Sequence, residues 1–383
     1  MKKTGKTFIV FLTVLFCLCA PSFAVSWSGL IDNTTKFSEN HDFSEPALEQ
    51  SNGIYLSIRV PVSKKGSLVF DAEALYKYNL KCAFKKNTST FTNIVDSDLF
   101  RLSGAWKLGN GMLNMNFGRF FVNDSNGIVF NQISDGLLLT YNTKKFDARV
   151  YAGYTGLLNS LNVSMVENAL VPQKNKDFYS LCPQYIPIIA DFSYKTLFNK
   201  HTVGILGEMF MPVSDKYTQK TYGSLYLKGP VSTWGSYSVV FTAGTVEFKK
   251  FMFDGKADLN VYVKNGMVTG GVEYLSSEND NMLAFTGMTS RTVTNDALFS
   301  GGVIPKVSYM FVKGNLFASV IGKGVIGITR TETKFQGIDV SGSIIFNVMS
   351  DLQLSCIIDT FTGFDDYKKA GNYAATLKAA LQF

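Results

Sequence analysis

The sequence predicts an all-β chain closed into a transmembrane antiparallel up-and-down β-barrel of about 18 strands, with 16 as the other count. Three observations predict it. Short segments alternate apolar and polar residues along most of the chain. Tight turns alternate with long polar connections. Beyond residue 24 no apolar run approaches the roughly 20 residues that a membrane helix needs.

Face polarity decides between a membrane barrel and a soluble one. Side chains on a strand point alternately to opposite faces, so each segment has one greasy and one wet side. About 18 such strands around a common apolar interior would enclose more volume than side chains fill. With the faces reversed, the apolar rows meet lipid, the polar rows line a lumen, and closure pairs every backbone group. A charge on the lipid face costs about 2–4 kcal/mol near the midplane, and the predicted outward rows carry almost none.

Taken in order, the first strand falls at residues 27–37, leaving no room for an N-terminal plug. Ile54, Leu56, Ile58, Val60 and Val62 then share one face, with Tyr55, Ser57 and Arg59 on the other. A turn at residues 63–66 leads to Leu68, Phe70, Ala72, Ala74, Tyr76 and Tyr78, backed by Asp71, Glu73, Lys77 and Asn79. That turn brings Arg59 opposite Asp71, and opposite charges facing each other across a hairpin are stabilising. Phe100 to Leu108 repeats the pattern with Arg101 and Lys107 on the wet side, and Gly109-Asn110-Gly111 turns the chain to Leu113, Met115 and Phe117. Leu137, Leu139 and Tyr141 run to a turn at 142–145, and Phe146 to Tyr154 returns with Asp147, Arg149 and Tyr151 inward. Further strands are expected at 189–198, 201–211, 221–228, 233–245, 257–264, 266–275, 303–313, 315–324, 337–348 and 352–361. The region 212–256 leaves the strand count open. Tight turns near 64, 110, 144, 199, 265, 314 and 350 alternate with connections near 38–52, 81–97, 122–134, 157–188, 276–302 and 362–371, which makes one rim short and the other long.

The N-terminus names the compartment. Lys2, Lys3 and Lys6 precede an apolar run from Phe8 to Ala20, and Ser22-Phe23-Ala24 is a small-x-small cleavage signature before Val25. Residues 1–24 read as a secretory signal peptide and 25–383 as the barrel domain. Lipid modification at Cys17 or Cys19 is disfavoured because Phe16 and Leu18 precede them where a small residue is wanted. Cys82, Cys182 and Cys356 remain, an odd number without metal-like spacing, so neither a disulfide scaffold nor a metal site is expected. Cys82 and Cys182 fall in expected loops and are free to pair. The formal +7 includes three signal-peptide lysines, leaving +4, from 34 Lys and Arg against 30 Asp and Glu. That excess is too small, and too scattered, to indicate nucleic acid.

The last strand carries the first resemblance. Tyr373, Ala375, Leu377, Ala379, Leu381 and Phe383 form one apolar row. It resembles the closing strand of bacterial outer-membrane β-barrels, in which the terminal aromatic strand is the assembly signal. That implies Tyr373, Leu377, Leu381 and Phe383 for this role, with the barrel-assembly machinery and periplasmic chaperones as partners. Gly118-Arg119-Phe120-Phe121, then Asn131 to Gly136 with its Asp135-Gly136 pair, then Leu137 to Tyr141, resembles the strand–loop–strand passage of bacterial porins. Signal peptide, strand texture and terminal Phe together resemble outer-membrane porins over the whole mature chain, and the Lys-, Asn-, Phe- and Tyr-rich wording suits a spirochaetal type of diderm, Gram-negative-type envelope.

The resemblance implies passive diffusion of small hydrophilic solutes, ion transport included, through a protein set in outer-membrane lipid, with a homotrimer as one assembly. No cofactor is implied. Arg59, Asp71, Glu73, Lys77, Arg101, Lys107, Asp147 and Arg149 are the expected pore-lining charges, since charged walls select solutes by charge as well as size. The longest loop, about 157–187, is expected to fold inward. The competing reading is a surface-exposed barrel acting as an adhesin or ligand-binding protein through its long loops. Catalysis is not expected, because the two histidines, His41 and His201, sit in no acid–base or nucleophile arrangement. A fatty-acid transporter is disfavoured because that type carries an N-terminal hatch. Cleavage after Ala24 predicts a mature protein beginning at Val25, checked by intact mass of protein extracted from membranes; a retained or lipid-modified N-terminus contradicts it.

Overall fold

Because strand side chains alternate, a single register step decides which row meets lipid. The computed structural model describes residues 25–383 apart from 64–66, 164, 167–177, 199, 290–300 and 329–331; the expected signal peptide, residues 1–24, lies outside the described residues. The strands are β1 (Ser26–Asn40), β2 (Ala47–Pro61), β3 (Leu68–Ala83), β4 (Thr88–Asp96), β5 (Phe100–Leu108), β6 (Gly111–Asn123), β7 (Asn131–Asn142), β8 (Phe146–Tyr154), β9 (Tyr185–Leu197) and β10 (His201–Pro212). They continue as β11 (Lys220–Ser232), β12 (Gly235–Val246), β13 (Lys250–Val263), β14 (Gly266–Leu275), β15 (Gly302–Lys313), β16 (Leu316–Ile328), β17 (Thr333–Asn347), β18 (Leu352–Gly363) and β19 (Asn372–Gln382). Each pairs antiparallel with its sequence neighbours except β4 and β5, which do not pair with each other, and β1 pairs with both β2 and β19, so the sheet closes on itself. β4 and β5 both pair with β3, one above the other, and together form one wall position. The wall is therefore 18 strands, the first of the two expected counts.

Orientation follows from exposure. Leu56 on β2 is 53% exposed, whereas Asp71 on β3, in the opposite row, is 5% exposed. The expected apolar rows, Ile54 to Val60 and Phe70 to Tyr76, face each other on the outer surface. The other face turns to the interior. Arg59 stands opposite Asp71, as the turn length implied.

Closure rests on the chain end. Leu30 to Asn40 pair with Gln382 back to Asn372. Phe383 exchanges backbone hydrogen bonds with Gly29 at 2.7 and 2.9 Å, and its ring meets Trp27 edge-on at 6.4 Å. A Cβ on Gly29 would lie 2.3 Å from the Phe383 ring, so only glycine leaves that ring its seat. Both described chain ends share one rim with the tight turns at 109–110, 143–145, 233–234, 264–265, 314–315 and 348–351. The opposite rim carries the longest connections, 155–184 and 276–301, and the 3₁₀ helix Asp365–Ala370.

Two expectations change. Residues 81–97 are not one loop: β3 runs on to Ala83, a four-residue turn follows, and β4 occupies Thr88–Asp96. The polar composition of that stretch hid it: Thr88, Ser89, Thr90, Thr92 and Asn93 break any continuous apolar row. The lumen face, moreover, is not uniformly polar. From β6 to β13 it carries Phe120, Tyr151, Tyr185, Ile189, Phe210 and Tyr222, packed into one buried cluster with Phe130, Leu158, Met165 and Met288 from inward-folded loops. The run Tyr185 to Ala190 is apolar on both faces, the pattern of a strand buried on both sides.

The wall also has a breach. β5 pairs with β6 only up to Phe100–Arg119. Above that, β4 pairs with β3 alone and residues 120–123 of β6 with β7 alone. Gly118, at φ +117°, permits the strands to part there, since a Cβ would lie 2.1 Å from the Phe100 carbonyl oxygen. Arg119 bridges the gap. Its Nε and Nη2 donate to Asp135 at 2.8 and 2.9 Å, its Nη1 to Asp96 at 3.0 Å and to the Ser97 carbonyl at 3.2 Å, and its Nη2 to the Leu157 carbonyl at 3.0 Å. The side chain is 13% exposed. Breaking such a buried pair from one side costs about 3–5 kcal/mol, so Arg119→Ala is expected to destabilise the lipid-refolded barrel by about that much. Arg119→Lys should recover less than half, since an ammonium lacks the planar fork. Urea titration followed by heat-modifiable gel mobility checks both.

Candidate permeation path

The inner wall divides into an apolar part from β6 to β13, filled by the loop core, and a more polar part lined by β1–β5 and β14–β19, where a smaller cluster of Leu275, Ile304, Val325 and Phe361 is also buried. Asp124 folds the first inward loop. Its carboxylate accepts the backbone N–H groups of Asn126, Ile128, Val129 and Phe130 at 2.7–3.3 Å, which coils residues 124–130 over the lumen. Residues 283–289 dock on it, with Met288 N–H donating to the Val129 carbonyl at 2.8 Å and Asn131 N–H to the Thr289 hydroxyl at 2.7 Å.

The longest loop folds inward in its described parts. Residues 158–160 pair with 180–182 as a short ribbon: Ser160 N–H reaches the Ser180 carbonyl at 2.7 Å and Cys182 N–H the Leu158 carbonyl at 3.0 Å. Asn159, fully buried, ties it internally by donating to the Phe178 carbonyl and accepting from Leu161 and Ser180 N–H. One side of the ribbon buries Leu158, Val163 and Cys182 in the core. The other reaches the polar wall through Asn162.

The eight charges singled out from the sequence fall into four places on the wall. Arg59, Asp71 and Arg101 sit side by side on β2, β3 and β5, with Asp71 between the two guanidinium groups at 3.8 and 2.8 Å. Glu73 and Lys77 follow on β3; Glu73 accepts from Ser57 at 3.0 Å and Lys77 donates to Asn162 at 3.1 Å. Asp147 and Arg149 lie apart on β8, Asp147 paired with Lys195 at 2.7 Å and Arg149 opposite Asp191 in register. Lys107 stands at the short-turn rim beside Gly109 and Asn110. Of the residues expected to form an assembly signal, Tyr373 stacks on Phe43 and Phe383 seats on Gly29, while Leu377 and Leu381 belong to the exposed apolar row.

Sequence reasoning missed several charges. Asp96 and Asp98 lay in an expected loop. Arg119 and Asp135 belong to the porin-like passage, but alternation puts them in the row of Phe117 and Leu137, which argued against a site. Lys323–Asp339 at 3.6 Å and Lys378–Asp32 at 3.9 Å pair across neighbouring strands, and Lys306–Asp258 at 2.8 Å reaches across β14 over Gly271, features that only register reveals. Lys36, Glu49, Lys77 and Lys81, with Leu161 of the ribbon and Thr376, line a cavity of about 460 Å³ between the polar wall and the ribbon. Cys82, Cys182 and Cys356 are in no disulfide among the described residues. Cys82 lies in β3 and Cys182 in the lumen core, so the open pairing of these two is not made. His201 shares a hydrogen bond with the Tyr237 hydroxyl at 2.9 Å and packs on its ring.

No protein-family model matches the chain, and no curated protein matches it. Solved structures match in fold. Pseudomonas aeruginosa OpdQ is 11% identical at a TM-score of 0.62, over 94% of this chain and 98% of its own. Pseudomonas aeruginosa OccK2 (OpdF), solved in complex with glucuronate, is 11% identical at 0.60, over 94% and 96%. The outer membrane protein OpdK of the same organism is 9% identical at 0.59, over 94% and 98%. At such identities the likeness is one of fold, and it spans nearly the whole of each chain. The closed 18-strand wall is thus the fold of the OprD/Occ outer-membrane porins.

Proposed function

We propose that this chain is an outer-membrane porin that passes small hydrophilic solutes by passive diffusion through a lumen narrowed by its own loops. The observation that carries the reading is the division of the wall: apolar side chains outside, charged pairs inside, and a half-filled interior with a polar-walled cavity. A barrel of this strand number encloses more space than its wall side chains fill. OccK2, of the same fold, is solved with glucuronate, itself a small hydrophilic solute.

On this reading residues 1–24 direct export and are removed, periplasmic chaperones and the barrel-assembly machinery receive the terminal strand, and the mature barrel sits in outer-membrane lipid, with a homotrimer as one assembly. The buried packing of Leu158, Val163, Met165 and Cys182 favours a channel over an adhesin, because these parts of the longest loop serve the lumen and not an outward surface. Among the proposed wall charges, Arg59 acts directly on passing ions: its side chain is 63% exposed while its partner Asp71 is already held by Arg101.

Purified protein refolded into planar bilayers is expected to give discrete single-channel steps; persistent silence across refolding conditions argues against the reading. A unit charge about 8 Å from a permeating ion in water is worth about 0.5 kcal/mol. Arg59→Gln should therefore shift the anion-to-cation permeability ratio about two-fold toward cations, read from reversal potentials in a salt gradient.

A further inference from the structure

We propose that Asn162 is a positioning residue: it pins the ribbon of the longest loop to the β3–β4 wall and so sets the width of the path at the long-loop end. The inference rests on the channel reading. Asn162 uses its amide fully. Its Nδ2 donates to Asp96 Oδ2 at 2.9 Å and to Asp98 Oδ1 at 2.6 Å, and its Oδ1 accepts from Lys77 Nζ at 3.1 Å. One neutral side chain thereby joins three charged groups, one on β3, one on β4 and one in the break before β5. Each bond has an ionised partner, the stronger kind of hydrogen bond.

The placement turns the ribbon into a strut. At its root it leaves β8 and returns to β9, and its apolar side is set in the core with Leu158, Val163 and Cys182. At its tip it meets β3 and β4, with the wall strands β6 and β7 between β8 at the root and the β4–β5 position at the tip. Leu161, next to the pin, forms one side of the cavity whose opposite walls carry Lys36, Glu49 and Lys81. Release of the pin would let Leu161 and Asn162 draw back from the wall and that cavity while Leu158 and Val163, on either side of them, stay in the core. The Arg119 contact to the Leu157 carbonyl lies nearer the root and does not hold the tip.

Residue chemistry at 162 is demanding. A carboxylate there would face Asp96 and Asp98 with no proton to offer. Alanine would leave both carboxylates and Lys77 with no link to the ribbon. Glutamine keeps the donor and acceptor pair on a longer stem.

Two readouts test the inference on the full-length mature barrel. In planar bilayers Asn162→Ala and Asn162→Asp should raise single-channel conductance about two-fold with added open-channel noise, and Asn162→Gln should return part of the way. Lys77→Met and Asp98→Asn, which trim the pin from the wall side, should move conductance in the same direction and cover the case in which a 162 variant fails to fold. In lipid-refolded barrels, protease cleavage within 155–184 should rise about ten-fold in Asn162→Ala, with heat-modifiable mobility unchanged. Conductance, noise and cleavage at wild-type values in a folded Asn162→Ala barrel overturn the pin. A wild-type barrel that never conducts, with cleavage still raised in the variant, overturns the channel reading and leaves the ribbon's anchor standing; absent both effects, the pin fails as well.

Discussion

Hydrocarbon offers the backbone no water, so every strand edge in a membrane must find another edge. The structure answers that demand almost everywhere with the pairing of consecutive strands and the return of β19 onto β1. Other features are consequences. The long-loop rim can rise, break and fold inward only where the wall has left the zone of lipid. The terminal Phe383 matters because it completes the closing pair against a glycine that leaves space for its ring.

The breach between β4 and β6 is the instructive exception. Two strand edges part there, and a guanidinium takes over from the backbone ladder. Arg119 offers five N–H donors in a fixed plane, enough to hold carboxylates on two separate strands and two main-chain carbonyls at once. An arginine in a row otherwise made of Phe117 and Leu137 would be costly if it met lipid alone. Paired with Asp135 and Asp96 it becomes a stitch. The same opening gives the ribbon of residues 155–184 its footing, since Asp96 and Asp98 stand at the edge of the break and meet Asn162 from the loop.

Filling one half of the lumen with an apolar core changes what the barrel can do. An evenly polar interior of this diameter would be a wide aqueous tube. The inward packing of Phe130, Leu158, Met165 and Met288 confines solutes to the other half, where charged side chains are mostly paired across neighbouring strands. Paired charges keep the wall rigid and leave a few exposed groups, Arg59 among them, to shape the field. A narrow path beside a dry core gives loop position direct control over the bore.

Much of this was legible in the residue order. Alternation named the class, the faces and most strand limits, because lipid and water impose opposite demands on successive side chains. Turn lengths placed Arg59 against Asp71, since a hairpin fixes its own register. The length of the longest loop allowed an inward course without requiring it. Local pattern says nothing, however, about which distant segments meet. The core was hidden because Tyr185 to Ala190 is apolar on both faces, and alternation cannot say what covers the second one. β4 was hidden because its Thr, Ser and Asn residues break any continuous greasy row. Nothing along the chain joins Arg119 to Asp96, Asp135 and the Leu157 carbonyl, which only the fold brings within its reach. Periodicity along the chain thus determined the barrel, while the half-closed path and its anchors were decided by contacts between residues dozens of positions apart, which only closure of the sheet brings together.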